Sequence, residues 1–317
     1  MKFKLVILFL LSIVYNEVRG QLIDDVSQLR TNLNQKSFRF YYDNDFFSAS
    51  DQYYTQGINL EFQSPQLQKN PLDHLLLYYR SQYTIHGISL EHNVFTPSSI
   101  RHTEILFGDY PYSAYLILKS FVRSYNFSKE SALSSAISIG VIGPAAFGGE
   151  MQTGIHHALS NLPPLGWKHQ IKNDLIINYQ LVFEKNVIHA PNHFLLAGIG
   201  EAHLGTLYDK LNTGIEFHIG KFNEQNVVKN KFEFTLYGQS ELSYHFYDAT
   251  KQGGVFTSNN DYTLVDDEIK KITLENKIGL LVRLNKIQLE YFQSYNTKEI
   301  ALGVKHNYGG ISIGYFF

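Results

Sequence analysis

Long segments of alternating polar and apolar residues constrain the fold of this chain more than any other feature. In 231–247, Phe232 and Phe234 fall on one parity, whereas Glu233 and Thr235 fall on the other. This alternation places apolar side chains on one face of a β-strand. A strand of about 17 residues exceeds the usual 5–6, and a tilted strand needs about 9–11 to cross a bilayer. A soluble antiparallel sheet has the same period, but the length favours a transmembrane strand.

Similar segments recur along the chain, and their number predicts an all-β fold, a transmembrane antiparallel β-barrel of about 12 strands. An even number of strands is expected for an up-and-down barrel of the bacterial outer membrane. The predicted strands are 38–47, 55–63, 82–92, 112–126, 131–142, 170–184, 194–208, 211–222, 231–247, 271–283, 286–295 and 300–317.

The last predicted strand also indicates an outer-membrane protein. Ile311, Ile313, Tyr315 and Phe317 alternate up to a terminal aromatic residue. This resembles the C-terminal strand signature of bacterial outer-membrane proteins, although an ordinary edge strand that ends in Phe is the alternative. We therefore predict the bacterial outer membrane as the destination, with membrane lipids around the protein.

The first twenty residues have the features of an export signal. Lys2 and Lys4 precede an apolar core, Leu5–Val14, which is too short to span a bilayer, and small Gly20 offers a cleavage point. An uncleaved anchor helix is the alternative. We predict a signal peptide at 1–20, a flexible segment at 21–36 and one barrel domain at 37–317.

Composition excludes several kinds of function. The chain has no cysteine, so it has no disulfide or thiolate chemistry, and any metal must bind oxygen or imidazole. The net charge of −2 argues against nucleic-acid binding. The 22 Tyr and 23 Phe suit strands and membrane-interface belts. Three polar connections are predicted to lie on the extracellular side: Gln66–Pro71, Phe95–Asp109 and Asp248–Lys270.

One segment, Gly143–Gln170, has helical spacing instead. Gln152 and His156 are four residues apart, so a helix places them on one face. His156 is the candidate general base because imidazole titrates near neutral pH, although a structural histidine is the alternative. His157 lies about 100° round the helix, off this face. The sequence contains no G-x-S-x-G elbow, HExxH motif or phosphate loop, which disfavours a serine hydrolase.

Oxygen-bearing side chains cluster in the first hairpin. Asn44 and Asp45 end the first strand, and Thr55 begins the second. Such oxygens can ligate a hard cation such as Ca²⁺. The alternative is a polar turn, since Asn and Asp bond to nearby backbone.

Several blocks resemble the outer-membrane lipid A 3′-O-deacylase family, and they occur in the family's order over about 38–175. The blocks are Asn44-Asp45, Asp51, Tyr54-Thr55 and Gly57; Phe95-Thr96-Pro97; Asp109 to Ala114; Gly140, Gly143, Pro144, Ala146, Gly148, Gln152 and His156; and Gly166, Trp167 and Gln170.

The resemblance implies a monomeric, Ca²⁺-dependent esterase with its active site near the outer rim of a twelve-stranded barrel. It would remove the 3′-linked acyloxyacyl chain from lipid A of lipopolysaccharide. His156 would activate a water, and Gln152 would line the site. Asp45 and Thr55 would bind the metal, with Asn44 close by. The metal would polarise the ester carbonyl.

The chain departs from the family pattern at three places. Tyr110 stands where the family often has Arg. The basic residue expected to meet the substrate is assigned to Arg101, with His102 as the alternative. The segment Leu159–Leu165 contains no acidic residue, although one is expected beyond the histidine. Two other functions stay open: a pore or structural barrel, and an acyl hydrolase acting on phospholipid.

Overall fold

The chain folds into a closed barrel of twelve antiparallel strands, each paired with its neighbours in sequence and β1 paired with β12. A computed structural model describes residues 36–48, 53–80, 83–223 and 231–317. The strands are β1 (Ser37–Asn44), β2 (Tyr53–Gln63), β3 (Thr84–Thr96), β4 (Ser113–Asn126), β5 (Ser131–Ile142), β6 (Asp174–Ala190), β7 (Phe194–Gly205), β8 (Tyr208–Lys221), β9 (Phe232–Asp248), β10 (Ile272–Leu284), β11 (Ile287–Asn296) and β12 (His306–Phe316). The predicted barrel and its number of strands are confirmed.

In the described residues, two α-helices lie between strands, α1 (Gly148–Ala158) and α2 (Ala249–Gln252), together with short 3-10 turns. No helix in the described part of the chain is both long and apolar enough to cross a membrane. The predicted signal peptide (1–20), nearly all of segment 21–36 and Asp51 lie outside the described residues.

The barrel has an apolar outside and a polar inside, as a lipid-embedded barrel requires. On β9, Phe232 and Phe234 are exposed, whereas Glu233 is buried and forms an ion pair with Arg283 of the neighbouring strand β10. Arg39 and Glu61 form a further buried ion pair inside. The period-two pattern therefore has the orientation that the sequence predicts.

Several predicted strand ends are wrong: β3 extends to Thr96 rather than to 92, and β6 spans Asp174–Ala190 rather than 170–184. The first strand stops at Asn44, because Asp45–Ser48 form a 3-10 turn instead of continuing the strand. The last strand begins at His306 rather than at 300, because 297–305 form a connection in which Ile300 is buried and bridges to Ile269. Local alternation does not separate a strand from a packed loop at these ends.

The prediction that three polar connections share the extracellular side of the barrel is wrong for one of them. Residues 97–112 and 249–271 join strands at the end opposite the chain termini. Gln66–Pro71 joins β2 to β3 and is at the same end as the termini, so it cannot share the extracellular side with the other two. Strand parity fixes this correction, since each strand crosses the barrel once.

The lumen is filled rather than open. A buried aromatic cluster that includes Tyr54, Phe95 and Tyr308 closes it towards the end opposite the termini. Above it, Lys251 is buried between Asp248 and Glu299. Burial favours the neutral amine, but the two carboxylates outweigh it and raise the pKa of Lys251. A cavity beneath the cluster, lined by Tyr115, Lys119 and Lys210, measures about 30 Å³, which is room for about two waters.

Candidate active site

Helix α1 lies on the outer wall of the barrel. Ala114 of β4 has the same parity as the lipid-exposed Leu118, so it faces outwards. A Cβ on Gly148, at the start of the helix, would lie 2.3 Å from the Ala114 Cβ. Ala114 is buried with Val94 and Trp167 in one apolar cluster. The helical segment therefore covers the wall from outside, and its glycines allow the close approach.

The helix places His156 towards the wall, and its Nδ1 forms a hydrogen bond within the protein. Its Nδ1 lies 2.6 Å from the carbonyl oxygen of Leu162, and the residue is 8% exposed. A carbonyl only accepts, so Nδ1 carries a proton, and in the neutral ring the lone pair is then on Nε2. A main-chain carbonyl thus orients this histidine in the segment where the sequence lacks an acidic residue.

Gln152 lies one helical turn earlier and is almost completely buried. The indole Nε1 of Trp167 donates to its Oε1 at 2.7 Å. Its Nε2 is buried with no hydrogen-bond partner among the described residues. Such a group is costly to bury alone, so the site presents an amide donor to whatever enters it. Gln152 and His156 share one face, as predicted.

The first hairpin meets the helix at a β-bulge. The β2–β3 register shifts between Tyr54 and Gln56, and Asn44 pairs with Gln56 across the β1–β2 ladder. Gln56 donates from Nε2 to the Sδ of Met151 at 2.6 Å, next to Gln152. The bulge re-aims side chains onto the outer wall. The structure therefore brings the first hairpin against helix α1.

The predicted oxygen ligands lie at this end of the hairpin. The hydroxyl of Thr55 is 2.8 Å from that of Thr96. Asp45 is buried, 2% exposed, in the 3-10 turn that Asn44 starts by accepting the backbone N–H of Phe46 at 2.7 Å. Asn44 and Asp45 follow one another at the end of β1 and Thr55 lies at the bulge of β2, so carboxylate, hydroxyl and amide side chains occur at the same end of the hairpin.

This donor set fits a hard cation held mainly through neutral oxygens. Among the described residues, no three His, Cys, Asp or Glu side chains are grouped to hold a metal. The donors at this end of the hairpin are one carboxylate, that of the buried Asp45, and neutral oxygens such as the hydroxyl of Thr55. Ca²⁺ accepts such mixed oxygen shells, which backbone carbonyls, water or substrate complete.

The predicted substrate contact lies in the connection between β3 and β4. Ile100 is buried in the apolar cluster, and its carbonyl accepts the N–H of Leu165 at 2.9 Å. Arg101, the next residue, is exposed, and its guanidinium makes no ion pair in the described part of the chain. His102 lines a shallow cavity with Tyr262. Neither side chain bonds to the helix face.

Tyr110, which stands where the family often has Arg, packs into the lumen plug. Its ring stacks on Phe95 with 5.8 Å between centroids, and its hydroxyl lies 3.2 Å from Glu299. The Lys251 ammonium lies 5.1 Å from the centroid of the ring. Burial raises the pKa of Tyr110, so the phenol stays neutral. A lysine from α2 thus supplies the positive charge in this region.

Sequence reasoning missed several residues of the site. His92 has outward parity, and its Nε2 lies 2.7 Å from the carbonyl of Ala146, just before helix α1. Gln56 and Thr96 also face outwards, as does the buried Val94, which pairs with Gln56 and precedes Thr96 by two residues on β3. The sequence did contain a signal for these residues: they are polar but lie at strand positions that face lipid. Such residues must be covered by protein, which indicates a segment packed on the outer wall.

The fold and site together define an outer-membrane β-barrel that carries a buried polar site on its lipid-facing wall. The chain belongs to the family of outer membrane protein LpxR, whose family model matches residues 5–317. Among solved structures it resembles LpxR from Salmonella typhimurium, with a TM-score of 0.74 and 19% identity over 89% of this chain and 100% of that one. This likeness shows a shared fold.

Other solved barrels are more distant. The beta domain of the Bordetella autotransporter BrkA gives a TM-score of 0.45 at 10% identity, covering 90% of this chain and 100% of that one. Comparison with curated protein sequences gives no match.

Proposed function

We propose that this protein is a calcium-dependent esterase that removes the 3′-O-linked acyloxyacyl chain from lipid A in the outer leaflet. The observation that carries the proposal is His156, whose Nδ1 is bound by the Leu162 carbonyl and whose Nε2 lone pair is therefore available in a site on the outer wall. Membership of the LpxR family supports the choice of substrate.

The position of the site suits a lipid substrate. It faces outwards at the end of the barrel opposite the termini, not into the lumen. Phe147, Leu159 and Leu162 surround the helix and are each at least half exposed, at 59%, 66% and 60%. Exposed apolar side chains rimming a polar site mark a lipid or membrane contact. A membrane lipid would reach the site without leaving its leaflet.

In the proposed reaction, His156 Nε2 takes a proton from water as the water oxygen attacks the ester carbonyl carbon. The amide N–H of Gln152 donates to the oxygen that gains negative charge. The bond from the acyl carbon to the 3′ oxygen then breaks, and the histidine returns its proton to that oxygen. The products are a free acid and a 3′ hydroxyl. This mechanism needs no nucleophilic side chain.

Asp45 and Thr55, with Asn44 beside them, would hold the calcium ion. Bound Ca²⁺ supplies Lewis-acid polarisation of the ester carbonyl. Thr55 lies in the bulge of β2 and Asp45 begins the 3-10 turn, in the same hairpin whose Gln56 contacts Met151 of helix α1.

Trp167 positions Gln152, so we expect Trp167→Phe to lower activity by about tenfold, because the buried amide loses the hydrogen bond from the indole at a cost of about 1–3 kcal/mol. The Gln152→Ala variant and the double variant complete the test. If Trp167 acts through Gln152, the two losses will not add. Additive losses, measured as initial rates of acyl release, would contradict this role.

The filled lumen argues against the pore hypothesis. We expect the purified protein in planar bilayers to show no steady open-channel conductance, because the buried aromatic cluster and the Lys251 ion pairs close the lumen. An open 16–18-stranded porin in the same bilayers provides the positive control. Stable single-channel steps from the folded protein would restore the pore as the function.

The proposal is tested by mass spectrometry of lipid A from bacteria that lack this activity, with and without the protein. We expect the main lipid A species to lose one acyloxyacyl unit only when the protein is present. Analysis of phospholipids from the same cells separates the third hypothesis. New lysophospholipid with unchanged lipid A would favour a phospholipid hydrolase.

A further inference from the structure

The connection between β2 and β3 folds back over the outer wall of the barrel. We call residues 64–80 the strap. The Nδ2 of Asn70 donates to the hydroxyl of Ser120 at 2.8 Å, and the backbone N–H of Tyr79 donates to that of Ser124 at 2.7 Å. Both serines have the parity of Leu118 on β4, which is 57% exposed to lipid. The strap therefore lies outside the barrel.

The wall presents hydroxyls to the strap where lipid-facing strands normally carry apolar residues. The hydroxyl of Ser135 on β5 donates to the carbonyl of Leu77 at 2.8 Å. The hydroxyl of Tyr179 on β6 accepts the N–H of Leu77 at 3.1 Å and donates to the carbonyl of Leu75 at 3.3 Å. These outward side chains satisfy the strap's main chain.

The two turns of the strap are capped and its buried carboxylate is paired, whereas Lys69, His74 and Arg80 are exposed at its surface. Its first 3-10 turn (Pro65–Lys69) is capped by Ser64, and its second (Pro71–Leu75) is capped by Asn70. Asp73 is buried against His86, with 2.5 Å between its Oδ2 and the ring Nδ1. Such pairing is what irregular backbone needs at membrane depth, because hydrocarbon offers no hydrogen bonds.

The far end of the strap reaches the lipid-facing band. Tyr179 lies between two outward residues of β6, Ile177 and Phe183, which are 49% and 44% exposed. Leu75 and Leu77 are 61% and 56% exposed there, and they continue the apolar surface across the hydroxyls. In water, by contrast, nothing would favour exposing these leucines beside a polar wall.

We propose that the Leu75–Leu77 segment of the strap is embedded in the inner half of the outer membrane, where Leu75 and Leu77 contact phospholipid acyl chains, with the charged Lys69 and Arg80 towards the polar surface. It enters from the end of the barrel that carries the termini. The outward hydroxyls of β4, β5 and β6 replace the bonds that its main chain would otherwise make to water. Over these strands, the loop rather than the strands themselves therefore forms the surface that faces lipid.

Single cysteines test this proposal cleanly, because the chain has none of its own. Leu75→Cys and Leu77→Cys are made in the full chain and placed in phosphatidylcholine nanodiscs. Lys286→Cys, in the exposed β10–β11 turn at the same end, is the aqueous control, and Leu118→Cys is the lipid-facing control. Heat-modified gel mobility confirms that each variant is folded.

We expect a charged, water-soluble thiol reagent to modify the Leu75→Cys and Leu77→Cys variants at least about tenfold more slowly than Lys286→Cys, because thiol reactivity requires access. A bimane label on either strap thiol should be quenched by acyl-brominated phosphatidylcholine to the same degree as a label on Leu118→Cys.

Two outcomes overturn the proposal. Modification of the strap thiols at the rate of the Lys286→Cys control, without quenching, would place the strap in water. Slow modification without quenching would show that protein covers the strap, such as a second copy of the chain.

A second variant tests the role of the outward hydroxyls. Tyr179→Phe removes the partner of two strap main-chain groups, so we expect the thiol of Leu77→Cys to be modified several-fold faster in this background. Tyr244→Phe, at an outward tyrosine on β9, is the matched control and should change nothing. Equal rates in both backgrounds would show that the hydroxyl does not hold the strap.

Discussion

Replacing His156 by alanine is expected to reduce lipid A deacylation by about 10²–10⁴-fold, because general-base catalysis contributes on that scale. The fold should survive, since the imidazole lies between the helix and the outer wall and contributes nothing to the lumen packing. The measurement is the initial rate of fatty acyl release from lipid A in mixed micelles, with gel mobility as the check of folding.

His157→Ala is the matched control. It removes an imidazole from the same helix, but that side chain is exposed and lies off the face of Gln152 and His156. We expect near-normal rates for this variant. If His156→Ala deacylates lipid A at the wild-type rate, or if His157→Ala is the inactive variant, the assignment of the base is wrong.

Removal of calcium is expected to lower the rate by at least about 100-fold, since metal polarisation of a carbonyl is worth several kcal/mol. Excess EGTA should abolish activity, and added CaCl₂ should restore it. Mg²⁺ should restore less, because it demands a tighter octahedral shell and gives up its waters reluctantly. Activity that persists in EGTA would remove calcium from the mechanism.

The position of the ion is tested by Asp45→Asn, which keeps the shape of the side chain and removes its charge. We expect this variant to need about tenfold more Ca²⁺ for half-maximal activity, because the site offers few carboxylates. Glu150→Gln is the control, since Glu150 is an exposed acid on helix α1. Equal calcium requirements in the two variants would place the ion elsewhere.

The barrel was predictable from sequence because its signal repeats in every strand. Alternation in segments such as 231–247 fixes which residues face lipid, and twelve such segments close one barrel. The strand ends were harder. Asp45–Ser48 and the connection before His306 depend on contacts with distant residues such as Ile269, which alternation does not report.

The site was partly predictable, because the helical spacing of Gln152 and His156 fixes a shared face whatever surrounds it. The placement of that face outside the wall was not foreseen. It depends on Gly148 packing against Ala114, and on His92 bonding to Ala146. Nor could the Leu162 carbonyl be found, because main-chain partners leave no trace in residue identity. The roles of all the predicted site residues stay predictions: His156, Gln152, Asn44, Asp45, Thr55 and Arg101.

The central claim concerns the bond that is broken, and one measurement addresses it directly. Purified protein is incubated with defined lipid A and Ca²⁺, and the products are analysed by tandem mass spectrometry. We expect one released acyloxyacyl acid and a lipid A that carries a free hydroxyl at the 3′ position, with neither product formed by His156→Ala. Intact lipid A, or loss of an acyl chain from another position, would contradict the claim.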